Sequence, residues 1–162
     1  MFKEGKLDME IVLNATLAGG VCMGANSDII LSPFGAFILG GITGIISSLG
    51  FIFLSPLLQR KFGLHDTCGV LNLHGIPGVI GGVVSAILAF ISNTNGYYPW
   101  GHQTAAANGG YQLAALVTTL TIAILSGLLT GFLTSRPFFH PIPVEQFHND
   151  PEHWQNVKIE HH

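Results

Sequence analysis

The stretch DTCGVLNLHGIPGVIGGVVSAILAFIS, running from Asp66 to Ser92, decides the fold. Beyond Asp66 it holds no formal charge, and it outruns the ~20 residues that an α-helix needs to cross a bilayer. One imidazole, His74, stands inside it. Such a group is costly in hydrocarbon unless it faces a cavity or a partner, so an intramembrane histidine marks a functional site by default. A neutral imidazole offers one donor and one acceptor nitrogen. That is enough to hold a small polar solute or to pass a proton along a chain.

The rest of the chain has the same character. Of its 162 residues 48% are hydrophobic and 9% charged, against ~25% charged in soluble domains. So few charges could hardly cover a surface facing water, whereas lipid solvates the outside of a membrane bundle. The net charge of −3 gives no reason to expect a nucleic-acid partner. Four apolar segments are predicted as transmembrane helices: Ile11 to Gly24, Pro33 to Leu58, Thr67 to Ser92, and Tyr111 to Thr134. The expected fold is all-α, a polytopic membrane helix bundle. The first segment is the weakest of the four, because it reaches spanning length only by taking in Asn26 and Asp28.

With four spans, the basic residues Lys3, Lys6, Arg60, Lys61, Arg136 and Lys158 all share one side. Random placement would do this about one time in thirty-two, so the positive-inside rule predicts both termini in the cytoplasm. The membrane part is expected over residues 1–135 and a cytoplasmic tail over 136–162. Met1 to Glu10 is polar and mixed in charge and does not read as a signal peptide.

Glycines recur at a spacing of four: Gly20 and Gly24, Gly40 and Gly44, Gly78 and Gly82, Gly127 and Gly131. That spacing puts both on one helical face and predicts close helix approach in each span. Pro77 removes a backbone donor three residues after His74, and neighbouring helices are expected to satisfy the freed carbonyl. Asp66 suits a helix start, where a carboxylate accepts backbone N–H groups. If the helix begins there, His74 lies ~12 Å along the axis at 1.5 Å per residue, close to the middle of a ~30 Å hydrocarbon core.

Asn14 opens an Asn-Ala-Thr sequon, but on the cytoplasmic side it is expected to remain unmodified and to make a structural hydrogen bond. Cys22 and Cys68 read as packed thiols without metal-site spacing. Tail histidines His140, His148, His153, His161 and His162 are irregularly spaced, so a solvated tail is expected and no metal. Tyr97, Tyr98 and Trp100 read as interfacial anchors. No nucleophile with an oriented base and no phosphate loop is present, so neither an enzyme nor a cofactor is expected.

Two stretches carry a resemblance. NATLAGGV (Asn14 to Val21) and DTCGVLNLHGIPG (Asp66 to Gly78) resemble signatures of the Rh glycoprotein branch of the ammonium transporter family. Gly5-Lys-Leu-Asp8 and Gly127-Leu-Leu-Thr-Gly131 fit the same branch, and the tail from Pro137 to Trp154 is similar in character. The resemblance runs through essentially the whole chain. It implies the C-terminal portion of a longer protein, namely the last four spans of an eleven- or twelve-span channel. Such channels are built from two inverted repeats and assemble as homotrimers with one pore per subunit.

The resemblance also implies ammonium or ammonia as solute, with carbon dioxide as a further candidate, in the plasma membrane. Two histidines, one from each repeat, meet in the family's pore. His74 matches the second, and Asp66 matches the acid eight residues before it. Asp66, Asn72 and Asn14 are carried over as structural or ammonium-recruiting support. The first repeat's histidine and the phenylalanines that gate the outer pore have no counterpart here. Leu71 stands where some Rh glycoproteins carry a polar residue. The expected function is that of a partial Rh-type ammonia channel, with His74 in the pathway. The alternative is a non-transporting Rh-like membrane scaffold, whose sign would be loss of the pore histidine.

Overall fold

The computed structural model describes residues 2–3, 6–30, 32–91, 104–139 and 143. Tyr97, Tyr98, Trp100 and the five tail histidines lie outside the described residues. A short antiparallel pairing of Phe2–Lys3 (β1) with Lys6–Leu7 (β2) opens the chain. The remaining architecture is helical. Helix α1 is Met9–Met23, begun by Asp8, whose carboxylate accepts the N–H groups of Glu10 at 3.1 Å and Ile11 at 3.4 Å. These are donors that a helix start otherwise leaves unmet.

Helix α2 (Pro33–Leu49), a π-helical turn (Gly50–Leu54) and helix α3 (Ser55–Phe62) form one rod, Pro33–Phe62. It stops at Gly63, which takes the left-handed φ of 63° and donates its N–H to the Gln59 carbonyl at 3.0 Å, a glycine-dependent helix end. A second π turn (Leu71–Gly75) leads into helix α4 (Ile76–Ile91), and helix α5 is Ala105–Thr134.

Three of these rods, Pro33–Phe62, Leu71–Ile91 and Ala105–Thr134, are long and apolar enough to cross a membrane. Helix α1, with 15 residues, is ~22 Å long at 1.5 Å per residue, short of a ~30 Å core. The chain runs on from it through turns in which Asn26 is buried, donating its Nδ2 to the carbonyls of Cys22 at 2.9 Å and Gly81 at 3.0 Å. Of the two polar residues that weakened the first segment, Asn26 is thus bound against α4 and Asp28 is exposed.

The interior is inverted relative to a water-soluble protein. Ala18, Cys22, Ala86 and Ala89 are buried beside Thr43, Ser47, Ser48, Asn26, Asn72 and Ser85, while Phe37 is 79% and Phe53 66% exposed. Small residues inside and bulky apolar ones outside is the arrangement expected where lipid is the solvent.

The residues group into two compact units, up to Thr118 and from Thr119 onward. In the first unit, α1 packs on α2 through Gly19, where a Cβ would stand 2.9 Å from the Gly40 carbonyl oxygen. It also packs through Ala15, whose carbonyl oxygen would be 3.0 Å from a Cβ at Gly44. It meets α4 at Gly81, where a Cβ would fall 2.5 Å from the Cys22 carbonyl oxygen.

Gly40 and Gly44 therefore do what their spacing predicts. Gly20 does not, since a Cβ there meets nothing within 4 Å. Its neighbour Gly19 takes the contact, one residue around the helix and on the same face as Ala15 and Cys22. Gly78 is likewise open, and Gly82 faces the Leu116 side chain. In the second unit the part of α5 from Thr119 to Thr134 is exposed throughout, and Gly127 and Gly131 approach nothing within 4 Å among the described residues. Arg136 closes this end with its guanidinium 3.7 Å over the Phe132 ring and its Nε donated to the Phe132 carbonyl at 3.1 Å.

Candidate functional site

The entry to the histidine-bearing rod is built by Asp66. The Gly69 N–H donates to the Asp66 carbonyl at 3.1 Å, which closes a turn. Gly69 has a left-handed φ of 64° and lies under the Phe51 ring. The carboxylate of Asp66 then accepts two donors, the N–H of Val70 on Oδ1 and the N–H of Leu71 on Oδ2, each at 2.9 Å. Both oxygens thus act as a helix cap. The helix begins four residues after Asp66, not at Thr67, because the turn occupies Asp66 to Gly69. Replacing Asp66 with Ala is expected to lower stability by about 1 kcal/mol, measured by thermal unfolding in detergent.

His74 consequently lies only ~6 Å along its helix from Val70. Its depth is better read from its neighbour. Ser47 donates its Oγ to the Asn72 backbone carbonyl at 2.9 Å. Ser47 sits at the middle of the rod Pro33–Phe62. Asn72 therefore lies level with the centre of a membrane-length helix, and His74 two residues from it.

Asn72 is fully buried, and its Nδ2 donates to Ser55 Oγ at 2.6 Å. The carbonyl that receives Ser47 stands five residues before Pro77, the spacing at which a π turn would pair it with an N–H that proline lacks. A neighbouring helix satisfies the group Pro77 leaves bare.

His74 is exposed, on the open side of the rod opposite Asn72, with Val70 exposed one turn before it. A cavity of ≈ 670 Å³ opens between α1 and α2, lined in part by Ala15, Gly19, Met23, Phe37, Gly40 and Ile45. His74 is not among its lining residues. Asn14 is half-buried on α1, and its side chain makes no hydrogen bond among the described residues. The structure thus places Asp66 at the start of the rod that carries Asn72 and His74 and leaves Asn14 apart. Cys22 is buried and Cys68 exposed, both as free thiols. No cluster of metal ligands occurs among the described residues.

The family model named Ammonium Transporter Family matches residues 1–151. The chain belongs to the ammonium transporter family. Ammonium transporter Rh type C of Bos taurus is 39% identical, over 98% of this chain and 37% of its own length. Rh type B of Takifugu rubripes is 43% identical, over 94% of this chain and 35% of its length. Rh type C of Homo sapiens is 40% identical, over 96% and 35%. The chain spans little more than a third of the curated relatives it matches, and those relatives are named as transporters. Within this member of the ammonium transporter family, Ser47, Gly50 and Ser55 escaped the sequence reading. The serines are unremarkable in an apolar run. The available signal was Ser55-Pro56 inside a span, since an intramembrane proline frees a carbonyl that some neighbour must meet.

Proposed function

We propose that this chain supplies the second-repeat side of an Rh-type ammonia-conducting pore, with His74 as one of its two imidazoles. Membership of the ammonium transporter family supports the solute class. The observation that carries the reading is the setting of His74: an imidazole level with the centre of a membrane-length helix, on a rod whose other side is locked, displayed on an open face. In the proposed assembly the first repeat covers that face and brings the second imidazole. Bare ammonium in hydrocarbon is very costly, whereas neutral ammonia needs only hydrogen-bond partners, which two imidazoles provide. Asp66 serves this reading by fixing the start of the histidine-bearing rod, Asn72 by holding it against α2, and Asn14 as a polar group on α1.

In the same reading residues 1–135 lie in the plasma membrane, residues 136–162 form a cytoplasmic tail, and both ends of this segment face the cytoplasm. The complete protein is a homotrimer, and carbon dioxide is a further solute to be tested. A second reading, a non-transporting Rh-like membrane subunit, has one observation on its side: His74 is exposed rather than enclosed by the described residues. Reconstitution separates the two. Liposomes holding the complete protein are expected to alkalinise faster than empty ones when challenged with an inward ammonium gradient, as read by an entrapped pH dye. Equal rates would sink the transport reading and leave the scaffold.

A further inference from the structure

We infer that Asn72 is a positioning residue: the two π turns clasp one another through it, and that clasp sets the direction in which His74 points. The inference rests on the proposed pathway role of His74.

Both π turns have the same cause. Each is followed, after one residue, by a proline: Ser55-Pro56 after Gly50–Leu54, and Ile76-Pro77 after Leu71–Gly75. A proline ring crowds the carbonyl four residues back and donates nothing to it. Widening the preceding turn by one residue moves that carbonyl aside. Ser55 then donates its N–H to the Gly50 carbonyl, and Ile76 donates its N–H to the Leu71 carbonyl, in each case five residues back.

The two widened turns interlock at a single residue. Ser47 donates to the Asn72 carbonyl that Pro77 cannot serve. The Asn72 side chain donates to Ser55, the residue that closes the other π turn. Gly50, which opens that turn, leaves room for the Asn72 amide that a Cβ would fill. Asn72 Oδ1 is buried without a donor among the described residues. An unmet buried acceptor is a poor source of stability, and a polar group of this kind is better explained by the register it imposes.

His74 follows from that register. Two residues along a helix turn the side chain by ~200°, so drawing Asn72 inward drives the imidazole outward. If the Asn72 carbonyl loses Ser47, the wide turn is no longer held, and closing it by one residue rotates His74 by ~100° off its face.

The test uses the complete channel in liposomes, with flux expressed per folded molecule. Ser47→Ala and Asn72→Ala are expected to lower maximal ammonia flux by about tenfold or more, on the scale that small misplacements of a reacting group produce. Ser47→Thr, which keeps the hydroxyl, is expected to restore it to within about twofold. In a His74→Cys background, Ser47→Ala should change the rate of thiol labelling at position 74 by about fivefold or more, since a rotated side chain meets a different surface. Normal flux per folded molecule in Ser47→Ala and Asn72→Ala, or unchanged labelling at position 74, overturns the inference. If His74→Ala is itself without effect, the pathway reading fails first. If His74→Ala cuts flux while Ser47→Ala is silent, only the clasp fails.

Discussion

Replacing His74 with Ala in the complete channel is expected to cut ammonia flux by about thirtyfold. Ammonia in a narrow apolar passage must keep a hydrogen-bond partner, and leaving one polar group unmet costs at least ~2 kcal/mol. At 1.36 kcal/mol per decade of rate, that is about a thirtyfold loss. The substitution should leave the fold intact, because His74 is exposed and makes no hydrogen bond among the described residues. His74→Gln retains a donor and an acceptor and is expected to retain part of the flux. Stopped-flow alkalinisation of proteoliposomes measures both, and methylammonium in place of ammonium reports any change in selectivity. Unchanged uptake together with unchanged selectivity would remove His74 from the pathway.

The residues that frame this site were unequally legible. Composition and apolar runs sufficed for the helical class and for three long spans, because length and the absence of charge are properties of a single segment. The carboxylate cap at Asp66 was also legible, since a cap is local. What lay hidden depends on two segments at once. Nothing in the run from Leu71 to Gly75 itself announces a π turn: Pro77 beyond it favours the wide turn, and Ser47 from the neighbouring rod meets the Asn72 carbonyl that Pro77 cannot serve. Adjacent glycines posed the same difficulty. Gly19 and Gly20 differ by ~100° around the helix, and no local property says which of them faces α2. The expected ~12 Å from Asp66 to His74 assumed helix from Asp66 onward, whereas the helix begins at Val70 after a turn that Gly69 makes.

That difference between local and paired information is sharpest among three glycines of α4. Spacing singles out Gly78 and Gly82, whereas the structure singles out Gly81. A Cβ at Gly78 meets nothing within 4 Å, and one at Gly82 meets the Leu116 side chain at 2.8 Å, which can turn away. A Cβ at Gly81 meets the backbone carbonyl of Cys22, which cannot move without parting α1 from α4. The same separation would pull Asn26 from the Gly81 carbonyl. Overpacking costs ~1–3 kcal/mol and a lost interhelical hydrogen bond about 0.6 kcal/mol. Gly81→Leu is therefore expected to remove about 2–4 kcal/mol from a total of only ~5–15 kcal/mol.

The two cysteines report the outcome directly. Cys22 is fully buried at this seam and Cys68 is exposed, so Cys68 is expected to react with a thiol reagent in the unaltered protein and Cys22 to stay protected. In Gly81→Leu, Cys22 is expected to label as well. In Gly82→Ala it should label slightly or not at all, and in Gly78→Ala it should stay protected. Protection of Cys22 in Gly81→Leu, or its loss in Gly78→Ala, would mean that the helices meet along the face the spacing suggested.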